Sequence, residues 1–261
     1  MNVATLGLPQ PQRGAIKVWY RNLLVWRKLI APSLFFTFGE PFVYLLGLGF
    51  GLGRFVGEVE GMSYLTFLAS GLVASSAMNT ASFEGMYSVF TRMEHQQTYD
   101  ALLATPLQVD DIVAGEMLWC GTKAMLAATP ILAVAVLLGA VDDWSALLAI
   151  PLFFLIGLCF AGPAIVVAAF APSYDFFNYY VTLLVTPMFI FSGVFYPVTT
   201  LPPFAQTLVN LLPLSHAIAL VRPLVAGGLP EQLLPHLGVL VAYALAGYLA
   251  ASVFIRRRLI Q

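Results

Sequence analysis

Long apolar runs alternate with short polar segments along most of the chain. Six of these runs approach or exceed the roughly 20 apolar residues that a bilayer-spanning helix needs. They are Leu34–Val56, Met62–Phe90, Ile112–Val141, Leu147–Ala171, Phe176–Tyr196 and Leu237–Ile255. The first run begins too far along the chain to be a cleaved signal peptide. The pattern therefore predicts an all-α polytopic membrane protein with six transmembrane helices.

A helical stripe precedes the first apolar run. Apolar residues recur there at steps of three and four, at Ile16, Trp19, Tyr20, Leu23, Trp26 and Ile30, and Lys17, Arg21 and Lys28 occupy the other face. Such a helix suits the plane of the cytoplasmic interface, either as a topology anchor only or with a coupling role. We expect one domain, 1–261, with a cytoplasmic amphipathic segment at 1–31 and a six-span bundle at 32–261.

The segment between the fifth and sixth runs carries seven of the 17 prolines, which excludes a continuous spanning helix. Pro202 and Pro203 suit a helix start, and a second apolar stretch runs over Ile218–Val225. We predict two short re-entrant helices here that dip into the outer leaflet.

Composition supports a membrane protein. Hydrophobic residues make up 60% of the 261 residues and charged residues 10%, and the mean hydropathy is +0.87. An ordinary soluble domain is about 45–50% apolar and about 25% charged. The net charge of −1 argues against a nucleic-acid-binding surface, which needs clustered basic residues.

The distribution of Lys and Arg predicts the orientation. Basic residues flank the first and last runs and the second inter-run loop, at Arg13, Lys17, Arg21, Arg27, Lys28, Arg92, Arg256, Arg257 and Arg258, whereas the opposite side has Arg54 and Arg222. Since Lys and Arg concentrate on the cytoplasmic side of membrane proteins, we expect both termini in the cytoplasm.

Four charged residues fall inside the predicted spans, namely Glu40, Glu84, Glu116 and Lys123. A charge at mid-bilayer costs about 2.5–3.5 kcal/mol even on the insertion scale, so it normally faces protein or water. These residues either pair and pin the helices together, or form a polar lining or lock near the inner gate. Glu116 and Lys123 lie about 10 Å apart along one helix, so each needs a partner elsewhere. For Lys123 we expect Glu84 or Glu40.

Glycines in the first run, at positions 47, 49, 51, 53 and 57, form overlapping Gly-x-x-x-Gly pairs. Small residues allow helices to approach closely in lipid. The pairs fit contact with a second copy of the chain, and they fit close packing within one subunit slightly better.

Signals for chemistry are missing. The sequence has no Gly-Lys dipeptide, and therefore no P-loop, and it has neither His-Glu-x-x-His nor Gly-x-Ser-x-Gly. We expect His95, His216 and His236 to lie far apart and on opposite sides of the membrane, which would exclude a shared metal site. The polar inner loop from Arg92 to Leu107 fits either a solvated connector or a helix that docks onto a partner.

Several motifs together resemble the permease subunits of type-2 ABC exporters, in particular the nodulation-factor export permeases. The matching stretches are Arg-Met-Glu-His-Gln-Gln-Thr (92–98), Asp-Ile-Val-Ala-Gly-Glu-Met-Leu-Trp (111–119), Thr-Lys-Ala (122–124), Ala-Pro-Ser-Tyr-Asp-Phe-Phe (171–177), Thr-Pro-Met (186–188), Ser-Gly-Val-Phe-Tyr-Pro-Val-Thr-Thr-Leu-Pro-Pro-Phe (192–204) and Leu-Pro-Leu-Ser-His-Ala-Ile-Ala-Leu-Val-Arg-Pro (212–223).

The resemblance implies two permease copies and two copies of a separate P-loop ATPase, which would bind ATP and magnesium, so that this chain holds no cofactor. It places a cytoplasmic coupling helix between spans two and three, with coupling residues Arg92, Glu94, Tyr99 and Asp100. The protein would be multi-pass in the bacterial inner membrane, in contact with lipids, and would export an amphiphilic lipid-linked or lipid-modified saccharide.

We expect the outer segment to cover the exit of the export path. The candidate outer-gate residues are Phe195, Pro197, Pro202, Phe204, His216 and Arg222. Candidate groove residues for acyl chains are Phe153, Phe154, Phe160, Phe176, Phe177, Tyr179, Tyr180, Phe189, Phe191 and Phe195. The alternative functions are a membrane-embedded lipid-modifying enzyme and an ATP-independent transporter.

Overall fold

The computed structural model describes residues 9, 13–28, 42–141 and 143–259. The first half of the fold consists of helix α1, Gly14–Arg27; helix α2, Phe42–Val56; a hairpin of strands β1, Glu58–Val59, and β2, Met62–Ser63; and helix α3, which begins as Tyr64–Phe83 and continues through π-helical turns at Glu84–Ser88 and Thr91–His95.

The second half is also helical. It contains α4, Thr98–Leu103; α5, Val109–Leu137; α6, Trp144–Phe170; α7, over 177–191; α8, Pro203–Val209; α9, Pro213–Val225; and α10, Leu233–Leu259.

Local sequence signals account for several helix starts. The β-hairpin turns at Glu60 and Gly61, which both have positive φ, as a tight two-residue turn requires. Ser63 then caps α3 by accepting a hydrogen bond from the backbone N–H of Thr66 at 3.1 Å. A capping box between Gln108 and Asp111 begins α5.

Helix α3 lies in the middle of the bundle, against α5, α6 and α9. Most of its residues between Tyr64 and Phe83 are buried, including Ser70, Ser75 and Ser82. Because protein rather than lipid surrounds this helix, it does not need the uniformly apolar surface of a lipid-facing span.

Three of the described helices, α5, α6 and α10, are long and apolar enough to cross a membrane. The pair α8 and α9, which is bent by 85°, would count as a fourth if it formed one span. The two short helices predicted after the fifth run are present, and the second begins at Pro213 rather than at Ile218. Glu40 and the first part of the run Leu34–Val56 lie outside the described residues.

The bundle has two chemically different ends. One end, called the basic end below, carries α1, α4 and the C-terminal turn of α10 with Arg256, Arg257 and Arg258. The other end, called the hairpin end, carries the β-hairpin, α8 and the start of α10.

Glycines bring neighbouring helices into backbone contact. A Cβ atom placed on Gly162 of α6 would lie 2.4 Å from the Cα of Gly247 on α10, and a Cβ on Gly157 would lie 2.6 Å from the Cα of Gly121 on α5. This is the close approach that small residues allow between helices in lipid.

The glycines of the first run only partly follow the slightly preferred interpretation, which was close packing within one subunit. A Cβ on Gly49 would meet the side chain of Leu65 at 2.5 Å, but Gly47 and Gly51 have no described atom within 4 Å of an added Cβ. The prediction that Gly47 and Gly51 pack within the subunit is therefore wrong with respect to the described residues. No other described helix covers the face of α2 that these two glycines share.

We expect Gly162→Ala to destabilise the protein by about 1–3 kcal/mol, because the added methyl group would overpack the contact between α6 and α10. The matched control is Gly238→Ala on α10, where no described atom lies within 4 Å of an added Cβ; it should be neutral or stabilise by up to about 1 kcal/mol, since alanine favours the helix. Unfolding of the two variants in detergent measures the difference. Equal stability would contradict the contact.

Candidate functional site: a buried charge network at the basic end

Two acidic and two basic side chains meet inside the bundle near the basic end. Arg92 lies between two carboxylates, with Nη2 at 2.9 Å from Glu84 Oε1 and at 2.9 Å from Glu116 Oε2. Lys123 Nζ lies 2.5 Å from Glu84 Oε2. The side chains of Glu84 and Glu116 are 3% and 1% exposed. The four formal charges cancel, which is the condition under which buried charges are tolerated.

Neutral groups add hydrogen bonds to the network, in which Arg92 Nε and Glu116 Oε1 have no hydrogen-bond partner among the described residues. The indole N–H of Trp119 donates to Glu84 Oε1 at 2.9 Å, and the amide of Asn22 donates to Glu116 Oε2 at 3.0 Å. Asn22 lies on α1. From the same helix, the indole N–H of Trp19 donates to the hydroxyl of Thr122 at 2.9 Å. Gly115 permits this docking, since a Cβ there would lie 2.6 Å from the Cβ of Val18.

The short helix α4 reaches the network through Tyr99. This side chain is 1% exposed and lies close to Glu116 and Arg92, whose charges act on its phenol. Burial raises the pKa of Tyr99 well above its usual value, so the phenol stays protonated. Tyr99 therefore links α4 to the charges on α3 and α5.

The lysine pairing agrees with the expectation from the sequence, because Lys123 contacts Glu84 and Glu116 finds its partners on other helices. Arg92, which the sequence predicted to lie in the inner loop, is instead part of a helix. It lies in the last π-helical turn of α3, at Thr91–His95, because α3 continues beyond the expected end at Phe90. The predicted coupling segment thus divides into the end of α3 and the separate helix α4.

The two remaining coupling candidates are exposed. Glu94 pairs with Arg258 at 2.8 Å, and Arg258 Nη1 donates to the carbonyls of Ala168 and Ala169 in the last turn of α6 and of Ala171 just after it. Asp100 lies on the exposed face of α4.

The outer-gate candidates are spread over the hairpin end. Phe195 packs against Tyr44 and Phe189, with ring centroids 5.9 and 5.0 Å apart, and Phe204 is 70% exposed. Pro197 precedes the 3₁₀ turn Val198–Thr200 and Pro202 precedes α8. Of the six residues, His216 and Arg222 share one cavity.

The expectation that the three histidines lie far apart is wrong for two of them. The Nδ1 atoms of His216 and His236 are 2.7 Å apart, because α9 packs against α10 and brings the first turns of both helices together. Within the described part of the chain, no three His, Cys, Asp or Glu side chains are grouped as a metal site would require.

The prediction of an aromatic groove for acyl chains is also wrong for three of its residues, which are buried. Phe153, Phe160 and Phe177 are at most 2% exposed and belong to the core. Tyr179 and Phe191 are the members with exposed rings, at 66% and 44%. Aromatic residues in this chain fill space between helices as well as cover its surface.

The helical bundle and its motifs agree with the comparison with known families. Residues 15–225 match the family model described as ABC-2 type transporter, and the chain belongs to this family. It is 46% identical over 254 residues to nodulation protein J of Rhizobium leguminosarum bv. trifolii, with 97% of each chain covered. It is also 44% identical over 244 residues to nodulation protein J of Rhizobium meliloti, with 94% of this chain and 93% of the relative covered.

A more distant relative is the inner membrane transport permease YadH of Escherichia coli, which is 26% identical over 239 residues and 91% of both chains. The protein is thus a transport permease subunit, similar to nodulation protein J, and not itself an enzyme. Its family and its apolar helices make it a multi-pass protein of the bacterial inner membrane.

Proposed function

We propose that the chain is the membrane half of an ATP-driven exporter, and that it moves an amphiphilic lipid-linked or lipo-oligosaccharide-type substrate out of the cytoplasm. ATP and magnesium bind to two copies of a separate P-loop subunit, and two copies of this chain form the path. The absence of a Gly-Lys dipeptide from the sequence supports this division of labour, because the P-loop lysine and backbone hold the phosphates.

The buried charge network is the observation that carries the proposal. Side chains from α1, α3 and α5 meet there within hydrogen-bond or ion-pair contact, and the buried side chain of Tyr99 from α4 lies close to Glu116 and Arg92. A displacement of α4 by the ATPase would be transmitted to the transmembrane helices through Tyr99 and Glu116, because no flexible segment lies between them. A solvated connector would need no such buried anchor.

The proposed topology has six spans formed by α2 with the residues before it, α3, α5, α6, α7 and α10. Both termini face the cytoplasm, since the basic end carries the Lys and Arg residues that favour that side. The helices α8 and α9 are then re-entrant on the outer side, and α1 lies along the inner interface. The exposed apolar side chains of α2, among them Phe50 and Phe55 at 49% and 88%, support contact with lipid or with a second copy.

Reconstitution into lipid vesicles tests the proposal. The chain together with its ATPase should transfer a fluorescent lipid-linked oligosaccharide across the bilayer only when ATP and magnesium are supplied. The purified chain alone should hydrolyse no ATP, because it has no phosphate-binding loop.

A variant of the ATPase that lacks its P-loop lysine serves as the control and should abolish transfer. Transfer that continues without ATP would favour an ATP-independent transporter. Covalent change of the lipid, detected by mass spectrometry, would favour the lipid-modifying enzyme.

A further inference from the structure

A cavity of about 460 Å³ opens at the hairpin end, between the β-hairpin turn, the segment after α7, helix α9 and the start of α10. Its volume falls in the range of about 300–1,000 Å³ that is typical of small-molecule sites. Its wall includes the polar side chains of Glu60, Ser192, Thr199, His216, Arg222 and His236.

Ser192 gives the first indication of a ligand. The residue is 1% exposed, and its hydroxyl has no hydrogen-bond partner among the described residues. It lines the cavity. A buried hydroxyl without a partner is unfavourable, so a group inside the cavity that hydrogen-bonds to it would be stabilising.

Arg222 is held rigidly on one side of the cavity. Its Nη2 donates to the carbonyl of Gly193 at 2.5 Å, its Nε donates to the hydroxyl of Ser70 at 3.1 Å, and its guanidinium lies 3.6 Å from the centroid of the Phe67 ring. Arg222 Nη1 lies 4.0 Å from Glu60 Oε2, too far for a direct hydrogen bond.

The gap between Arg222 and Glu60 selects for a particular ligand chemistry. A hydroxyl group placed there accepts from the guanidinium and donates to the carboxylate, because it is both acceptor and donor. A phosphate or carboxylate would accept from Arg222 and be repelled by Glu60. The gap therefore favours a neutral ligand that carries a hydroxyl group.

The histidine pair adds an acceptor. His216 Nε2 lies 2.8 Å from the carbonyl oxygen of Asn210, which only accepts, so this nitrogen carries the proton. In the neutral pair His216 Nδ1 is then the acceptor and takes the hydrogen bond from His236 Nδ1. The remaining nitrogen of His236, Nε2, then carries a lone pair and can accept a hydrogen bond, and His236 lies in the cavity wall.

We infer that this cavity binds a saccharide, through the Arg222–Glu60 gap, the Ser192 hydroxyl and His236. The inference rests on the proposed export function and names the polar head of the exported amphiphile as the ligand of an outer site. Neutral sugar rings carry adjacent hydroxyl groups, each of which can donate and accept. These groups complement the donors and acceptors of the cavity wall.

Binding to the full chain, assembled with its ATPase in lipid nanodiscs, tests the inference. Maltotetraose, cellotetraose and N-acetylglucosamine tetramer are titrated by calorimetry. At least one should bind, and Glu60→Asn should weaken it about tenfold, as expected for the loss of one hydrogen bond to a charged group. Asparagine tolerates the positive φ of position 60 but is too short to reach the gap.

The matched control is Glu58→Asn, in the same hairpin and exposed, but outside the cavity wall; its affinity should stay within about twofold of the parent. Ser192→Ala should also weaken binding. Failure of all three sugars to bind, equal affinity in Glu60→Asn and the parent, or tighter binding of glycerol 3-phosphate than of any sugar would each overturn the inference.

The vesicle experiment separates this inference from the proposed function. ATP-driven export with no saccharide binding at this cavity would remove the outer site and leave the exporter intact. Normal saccharide binding, weakened by Glu60→Asn, in a complex that exports no amphiphile would remove the exporter and leave the site.

Discussion

Arg92→Met should be among the most damaging single substitutions in the chain, because it leaves two buried carboxylates and one lysine, which contacts only Glu84 of the two. Removing one partner of a buried ion pair costs about 3–5 kcal/mol in soluble proteins. Glu116→Gln in the same chain should recover most of this loss, since it returns the network to zero net charge with the Lys123–Glu84 pair intact. The yield of monodisperse protein and its unfolding in detergent measure both effects.

Arg257→Met provides the matched control, because Arg257 is exposed at the basic end, where loss of one charge changes stability by less than about 1 kcal/mol. Two results would contradict the charge-balance explanation. One is a stable Arg92→Met protein, and the other is a double variant no more stable than Arg92→Met alone.

Tyr99→Ala should detach α4 from the bundle and abolish the coupling between ATP hydrolysis and export. A helix of six residues is far below the about 12–15 residues at which an isolated helix becomes even marginally stable, so α4 depends on its buried anchor. Truncating a large buried aromatic residue costs about 3–5 kcal/mol. Limited proteolysis between positions 96 and 108 should become faster, and ATP-driven transfer should fall to below about a tenth.

Tyr99→Phe separates packing from hydrogen bonding, because it keeps the ring and loses the hydroxyl; protection from protease should largely remain. Asp100→Ala, on the exposed face of α4, controls for changes in local sequence and should leave the protection unchanged. An α4 that stays protected in Tyr99→Ala would show that other contacts hold it.

The pairing of Lys123 with Glu84 was open to sequence reasoning because charges inside apolar runs are few and each must find a partner. The role of Arg92 was not, because its position after an apolar run is typical of a loop. The π-helical turns of α3 explain the difference, since each accommodates an additional residue and shifts the periodic pattern on which helix ends are judged. Asn22 and Trp119 carry no sequence signal for the network, since neither is charged.

At the hairpin end, too, the sequence predicts local elements but not the contacts between them. Proline positions predicted two short helices there, because proline has a defined place at helix starts. The contact between His216 and His236 depends on how α9 packs against α10, and no local pattern encodes that geometry. Likewise, the regular glycine spacing in the first run predicted close helix contact there, whereas close backbone contact occurs at Gly162 and Gly247, which belong to no Gly-x-x-x-Gly pair and lie in two different runs.

The double attachment of α6 to α10 has a mechanical consequence. Their backbones touch at Gly162 and Gly247, with no layer of side chains that would let one helix slide over the other. Near the basic end, Arg258 ties α10 to the three carbonyls at the end of α6. Two helices fixed at two separate points resist both shear and rotation. We therefore expect this pair to move as one unit, so that the path of the proposed exporter would open along other helix boundaries.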